Sequence, residues 1–281
     1  MKVAVIILNY NSYDDCRKCV VFLQRQKDID LELILVDNNS LDRDRLAVFA
    51  QEVDCTFISS KENRGYNAGN NLGLRYAVEC GYAYALIANP DMEFPQSDYI
   101  AKLVDVMESD HDIVIAGTDI IGSDGRHQSP MYGDGNWTGS FDWIRSFFRK
   151  QKSDTYEFID NYSESHYCAK VSGCCLMVRM DFIKEIGFFD EYPFLYCEEA
   201  ILARQVEVAG KRIFYTANLQ AVHRHIPSKK GDPVKRFRQW KRSRIYFIKY
   251  YSDDSWLGKK LACLSINMYI CVLSLVLRIK H

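Results

Sequence analysis

"LIANPDMEF", residues 86–94, decides how the rest of the chain is read. With Tyr84 and Ala85 ahead of it, its first half is an apolar run of the length of a buried strand. The run ends in Asn89-Pro90, and the carboxylates Asp91 and Glu93 follow at once. Asp and Pro both belong in turns for backbone reasons alone, so a plain turn is one reading. In the other, a core strand holds Asp91 out over a ligand, because ligands of open α/β sheets bind beyond the carboxyl ends of the strands.

Working outward, "VAVIIL" (3–8), "LELILVD" (31–37) and "CTFISS" (55–60) read as three more buried strands. Helical patterns fill the gaps at 12–26, 43–53, 66–81 and 99–110. Ser12 is expected to cap the first helix, with Asp15 completing a capping box, and Gly81 to stop the third. Apolar strands alternating with helices predict an α/β fold, a mostly parallel sheet with helices on both faces. Beyond residue 110 the rhythm loosens. Strands are expected at 112–117, 169–179, 212–216 and 220–225, and helices at 180–187 and 197–210. Residues 122–166 are polar, aromatic and aperiodic, and read as long loops that can cover a site.

The 281 residues are 48% hydrophobic and 26% charged, which suits one large domain or one domain with an appendage. Ten scattered cysteines, with Met1-Lys2 running straight into a strand, point to a reducing cytoplasm. Cys16-x-x-Cys19 has the spacing of half a zinc site or a redox pair. Yet Cys16, Cys19, Val20 and Leu23 fall at i, i+3, i+4, i+7, the core face of a helix, and packing is the preferred reading. The net charge of −1 hides an asymmetry. Residues 229–281 carry 13 Lys/Arg against three Asp/Glu, a net of +10, and residues 1–228 carry 23 against 34, a net of −11. A basic tail on an acidic body suggests a polyanionic surface as partner.

Polar residues gather at the strand ends: Asn9-Tyr10-Asn11, Asp37-Asn38-Asn39-Ser40 and Asn89-Pro90-Asp91. Ahead of the third helix lies "ENRGYNAGNN" (62–71), whose backbone N–H groups can meet a diphosphate. No G-x-G-x-x-G follows the first strand and no G-x-x-x-x-G-K-[ST] exists, so neither glycine device for phosphates is available. A metal would share that work. Asp91 is a hard oxygen ligand suited to Mg²⁺ or Mn²⁺, and His223 in "AVHRH" offers a further ligand.

The blocks "VAVIILNYNS", "LILVDNNS", "NRGYNAGNNLGL", "ALIANPDMEF", the segment from "VSGCCLMVR" to "CEEAILARQVEVAGKRI", and "AVHRH" come in an order that resembles the family 2 glycosyltransferases. These are inverting enzymes of the GT-A, Rossmann-like fold, and the likeness runs over residues 3–225, nearest to the bacterial rhamnosyltransferase-like group of capsule and O-antigen assembly. The resemblance implies a dTDP- or UDP-sugar donor (rhamnose, galactose or glucose) and a glycan or lipid-linked acceptor. Tyr10 would pack on the base and Asp37 would hydrogen-bond it. Asn11, Asn39, Asn63, Gly65, Asn70 and Asn89 would line the nucleotide. Asp91 matches the last carboxylate of the family's D-x-D motif, with Asn89 in place of the first. His223 matches a late histidine that completes the metal or diphosphate contact, and His225 is a nearby alternative. Where the family shows Glu-Asp and then an Asp two residues later, this chain has Glu198-Glu199-Ala200-Ile201. Glu199 then stands at the catalytic base, with Glu198 the other candidate; a helix start that simply favours acids is the plainer account. Asp190 and Tyr196, in the aromatic "GFFDEYPFLY" (187–196), would meet the sugar or acceptor.

Residues 1–228 are therefore expected to form the transferase domain, and 229–281 a helical tail. "VKRFRQWKRSRIYFIKYY" (234–251) interleaves cations with aromatics, and 261–277 carries no charge over 17 residues. The tail can lie in a membrane interface, pack in the core or a homodimer, or span. The first is favoured, with the protein peripheral on the inner face of the plasma membrane and no nucleic acid as partner. Two rivals stand beside the transferase: a sugar-phosphate nucleotidyltransferase, whose glycine-rich first loop "LNYNSYDD" lacks, and a non-catalytic nucleotide-sugar binding protein with a decayed site, which the Asn89 and Ile201 departures would favour.

Overall fold

The computed structural model describes residues 2–144, 159–225 and 233–279. β1 (Lys2–Asn9), β2 (Asp30–Asp37), β3 (Thr56–Ser59) and β4 (Tyr84–Ala88) are parallel neighbours in the order β3-β2-β1-β4. α1 (Tyr13–Leu23), α2 (Arg43–Glu52), α3 (Tyr66–Glu79) and α4 (Tyr99–Ser109) alternate with them or follow them. β1 shows why the central strands are so apolar. Val3, Val5 and Ile7 join a core with α1, α2 and α4, while Ala4, Ile6 and Leu8 join a second core with α3, α5 (Met180–Glu185) and α6 (Glu198–Val208). A strand covered on both faces has no position for a polar side chain until its tip.

The sheet continues through β8 (Cys175–Arg179), β6 (Ile113–Gly122), β9 (Arg212–His223) and β5 (Met92–Glu93), with β7 (His166–Cys168) paired to β9. β8 runs antiparallel between β4 and β6, and the parallel β6–β9 ladder is the longest in this half. Two strand expectations change. Of the strand expected at 169–179 only 175–179 remain in the sheet, because Ser172-Gly173-Cys174 turns away toward Asn89 and Glu199. The two strands expected at 212–216 and 220–225 are one continuous β9 ending at His223; a register shift between Thr118 and Asp119 of β6 absorbs the interruption.

Local details also settle. Cys16 and Cys19 are fully buried in the first core, and burial pushes both thiols up, so the pair is packing material. Ser12 precedes α1 but makes no side-chain cap: its hydroxyl donates to the Tyr10 carbonyl at 3.2 Å. Asp42 takes over that work across the chain, accepting from the Tyr13 N–H at 3.1 Å.

The tail helices α7 (Pro233–Tyr250) and α8 (Trp256–Ile279) pack against the outer side of α6. Phe247, Ile248, Ala262 and Ile266 form a third cluster with Ala200 and Ile201. α8 is long and apolar enough to cross a membrane by length and composition, with 28% of its window Trp256–Leu273 buried.

Candidate active site

Asp91 sits one residue past the Asn89-Pro90 break at the tip of β4. The two-residue β5 that follows pairs antiparallel with the end of β9, Met92 opposite His223 and Glu93 opposite Val222. That short ladder sets Asp91 and His223 side by side. Asp91 Oδ1 lies 3.2 Å from His223 Nε2 and Oδ2 lies 3.4 Å from His225 Nδ1. Each of the three offers one ligand atom within 4.8 Å of the others.

The hydrogen bonds around this trio say what it is built for. Gln128 Oε1 lies 2.8 Å from His223 Nδ1 and accepts its proton, so that whenever the ring is neutral its lone pair is at Nε2, facing Asp91. Asp91 Oδ1 and His223 Nε2 are both buried and both lack a hydrogen-bond partner. Two convergent, unpartnered acceptors are costly to bury unless a cation or a proton sits between them. Burial opposes charge on His223, but the facing Asp91 carboxylate and the Cys174 sulfur outweigh it and raise its pKa to about 10. Burial likewise pushes Asp91 up, and the His223 contact outweighs it and holds the carboxyl below its usual range. A proton shared there is what a divalent cation would displace, so the donor set fits a metal.

Asn89 does not point its amide at this trio. Its Oδ1 lies 3.1 Å from the Tyr66 hydroxyl, which donates to the Gly173 carbonyl at 2.7 Å, and its N–H donates to the Cys174 carbonyl at 2.8 Å. The Ser172-Gly173-Cys174 turn thus lies between the trio and the glutamates. On its far side the Gly173 N–H donates to Glu199 Oε1 at 3.2 Å, and a Cβ on Gly173 would stand 2.9 Å from that oxygen. Glu198 is different. Its Oε1 is buried without a partner, and burial, then the Glu199 charge, pushes its pKa up to about 8. Both glutamates line a cavity of about 20 Å³ with Tyr66, Asn67, Asp190 and Gln205.

The approach to Glu198 is strained. Phe188, Tyr196 and Cys197 adopt left-handed backbone angles with φ of 74°, 74° and 67°, a conformation such residues hold only when the surroundings fix it. α3 fixes it from one side: Asn67 Nδ2 donates to the Asp190 carbonyl at 2.8 Å, and Asn71 binds the Phe189 carbonyl and N–H. α7 fixes it from the other. The Tyr246 and Tyr251 hydroxyls both donate to Asp190 Oδ2, Tyr192 stacks on Tyr246 at 3.9 Å, and Ser243 donates to the Leu195 carbonyl at 2.8 Å. Asp190 therefore spends its carboxylate inside the protein. Tyr196 turns instead toward Arg236, Phe237, Trp240 and Tyr269.

The residues expected to line a nucleotide lie at the tips of β1 and β2 and around the start of α3. Asp37 is fully buried, accepting from Asn9 Nδ2 at 3.2 Å and the Ser40 N–H at 3.1 Å. Asn11 and Asn39 take left-handed φ values of 56° and 63°, and Tyr10 stands 52% exposed beside them. Asn63 Oδ1 accepts from Asn38 Nδ2 and the Gly65 N–H. Asn70 is buried; its Nδ2 donates to the Tyr66 carbonyl and its Oδ1 has no partner. Gln128, Tyr66, Gly173 and the tail tyrosines were not found from the sequence. The partners of Gln128 and the tyrosines are 56 to 95 residues away, and nothing local marks them.

A family model described as glycosyl transferase family 2 matches residues 4–187. The low-salt glycan biosynthesis hexosyltransferase Agl10 of Haloferax volcanii is 27% identical over 199 residues, 70% of this chain and 58% of its own length. An N-acetylglucosaminyl-diphospho-decaprenol L-rhamnosyltransferase of Mycobacterium tuberculosis is 28% identical over 86 residues, 31% of this chain and 28% of that one. The chain thus spans less than two thirds of either relative. Among solved structures, mannosyltransferase PcManGT from Pyrobaculum calidifontis, in complex with GDP-Man and Mn²⁺, aligns with a TM-score of 0.58 at 17% identity, over 95% of this chain and 69% of that one. That likeness shows the fold, a GT-A type α/β sheet. With its ordered blocks, its sheet and the family match over 184 residues, the chain belongs to glycosyl transferase family 2.

Proposed function

We propose that the protein is a metal-dependent, inverting hexosyltransferase that moves a sugar from a nucleotide-diphosphate donor to a glycan or lipid-linked acceptor in surface polysaccharide synthesis. The observation that carries this reading is the pair of buried, unpartnered acceptors, Asp91 Oδ1 and His223 Nε2, at the tip of β4. Asp91, His223 and His225 would hold the cation, and two imidazoles beside one carboxylate suit Mn²⁺ better than Mg²⁺. When bound, the cation offsets negative charge gathering on the leaving diphosphate. Tyr10, exposed above the β1–β2 cleft, would pack on a uracil or thymine, and the turns at Asn11 and Asn39 would shape that cleft. Glu199 takes the proton of the acceptor hydroxyl as its oxygen bonds to the anomeric carbon and the bond to the diphosphate breaks on the opposite face. Glu199 suits this role because one oxygen is fixed by the Gly173 N–H, whereas Glu198 is held toward its neutral form.

Residues 1–228 would do the chemistry, with 229–281 keeping the protein at the cytoplasmic face of the membrane. A protein wholly soluble without detergent and indifferent to vesicles would count heavily against that placement. Against the decayed-site alternative stands His225, which would add a third ligand beside Asp91 and His223 where Asn89 turns to Tyr66. Thermal-shift screening against UDP, dTDP, GDP and CMP, with and without Mn²⁺, tests the reading. A metal-dependent rise with UDP or dTDP, lost in Asp91→Ala, is expected; no rise with any nucleotide would sink it.

A further inference from the structure

A groove of about 340 Å³ runs along one face of α7. Arg238, Lys241, Arg242 and Lys249 fall on that face at i, i+3, i+4 and i+11, and Tyr192 from the 187–196 loop closes one side. The sequence of α7 contains no Asp or Glu. Among the described residues, no carboxylate pairs with Arg238, Lys241 or Lys249, and Arg242 lies over the Tyr192 ring at 4.8 Å. Like charges at i, i+3 and i, i+4 repel, and an anionic partner would relieve that. The metal and nucleotide groups described above do not use this face.

The Lys249 end of the groove meets the start of α8, where Lys259 Nζ donates to the Lys249 carbonyl at 3.3 Å. Tyr250, Trp256 and Leu257 stand 70%, 73% and 58% exposed at this corner, and Lys260 lies over Trp256 at 5.5 Å. The two acids of the turn are taken: Asp253 pairs with Arg204, and Asp254 accepts from the Trp137 N–H at 3.0 Å. A nucleic acid would meet the cations and leave Trp256 and Leu257 in water. A bilayer surface meets both, with phosphates for the cations and the head-group boundary for the exposed aromatic and apolar side chains. The groove also touches the loop that leads to Glu198. Tyr192 stacks on Tyr246 at 3.9 Å, and Tyr246 donates to Asp190, two residues before Tyr192. We propose that this groove docks on the anionic phospholipid head groups of a membrane, and that docking clamps the 187–196 loop through Tyr192. The inference rests on the membrane placement proposed above; it names the lipid class, the face that meets it and what docking does to the loop.

The test sediments the full chain with vesicles of phosphatidylcholine, alone or mixed with phosphatidylglycerol. Binding to the anionic vesicles is expected, about tenfold or more tighter than to neutral ones and weakened by salt. Arg238→Gln, Lys241→Gln and Lys249→Gln together should weaken it by roughly a hundredfold. Lys18→Gln, Lys27→Gln and Lys102→Gln together remove the same charge from exposed positions on the body and should bind as the parent does. On anionic vesicles, chymotrypsin cleavage within 187–196 should fall several-fold. Tyr192→Ala should bind those vesicles and lose the protection, and Tyr192→Phe, which keeps the stacked ring, should retain it. Equal loss in both triple variants, protection that survives Tyr192→Ala, or tighter binding to a single-stranded oligonucleotide than to anionic lipid each overturns the proposal. Binding to neutral and anionic vesicles alike removes this inference and leaves the membrane placement standing; no binding to any vesicle removes the placement first, and this inference with it. The Mn²⁺–UDP thermal shift, read on the same samples, tests the transferase reading separately.

Discussion

Replacing Gly65 with alanine tests how the start of α3 and the loop at 187–196 are joined. Gly65 has φ 106° and ψ −177°, a region that is essentially glycine's alone. An added Cβ would lie 2.4 Å from the Phe194 carbonyl oxygen, 2.7 Å from its Cα and 2.9 Å from its carbonyl carbon. All three are backbone atoms, so no side chain can swing aside. The forced conformation costs about 1–3 kcal/mol. Moving Phe194 also breaks the 3.0 Å bond from the Tyr66 N–H to the Phe194 carbonyl, a loss of about 0.5–1.5 kcal/mol. Together these predict a destabilisation of roughly 2–4 kcal/mol and a melting temperature lower by roughly 5–15 °C. Gly81→Ala is the control. Gly81 also has positive φ, at 76°, but nothing lies within 4 Å of its Cβ position, so only a conformational cost of about 1 kcal/mol is expected. Urea midpoints and calorimetric melting of the two variants against the parent give the comparison. If Gly65→Ala costs no more than Gly81→Ala, the contact between the start of α3 and the loop at 187–196 is not what holds them, and the reasoning fails.

Gln128→Leu should leave the His223 Nδ1 proton unpaired and weaken Mn²⁺ binding by about 10–100-fold, read by calorimetry; unchanged affinity would remove Gln128 from the site. For Glu198, burial and then the Glu199 charge push the folded pKa up to about 8, above the 4.5 of an ordinary glutamate. The stability this gives is therefore complete below about 4.5 and is lost as pH rises through 8. Glu198→Gln should gain on the parent across that window in denaturant midpoints, and parallel pH curves would refute the assignment. Replacing Tyr246 and Tyr251 by Phe leaves Asp190 with only the Tyr192 N–H among the donors described here, and should raise chymotrypsin cleavage within 187–196 several-fold. A cleavage rate equal to the parent's would show that α7 does not hold that loop.

What could be read from the sequence was what depends on period and order. β1, β2 and β4 announced themselves because most of each is buried on both faces, while β3, a half-buried edge strand, was legible from its place in the alternation; Asp91 stood out because a carboxylate ended such a run. His223 was singled out from its place after a strand in "AVHRH" and from the block order, and the structure sets it 3.2 Å from Asp91. What depends on distant partners stayed hidden. Ser12 has the right identity for a cap, yet Asp42, 29 residues beyond Tyr13, does the capping. Asn89 was expected at the nucleotide, and its amide meets Tyr66 instead, because the Ser172–Cys174 turn brings the Tyr66 hydroxyl and the Gly173 carbonyl together there. Asp190 was expected to face a substrate, and two tyrosines from the tail take its carboxylate. The described parts of residues 122–166 are irregular apart from a helical stretch that opens as a 3-10 turn at Trp137–Phe141 and the ends of β6 and β7, and no periodicity could say that Gln128 would orient a histidine.

α6 is wedged between two cores: Leu202 and Val206 enter the sheet's second core, and Ala200 and Ile201 enter the cluster with α7 and α8. Its first turn bears both glutamates. A chimaera that exchanged residues after 228 for another transferase's tail would therefore swap more than an address label. It would replace the outer wall of the helix that carries both glutamates, and the Ser243, Tyr246 and Tyr251 ties on the loop leading into it. Heredity should treat body and tail as one inheritable unit, with the Ala200–Ile201 face and the Phe247–Ile248 face drifting together or not at all.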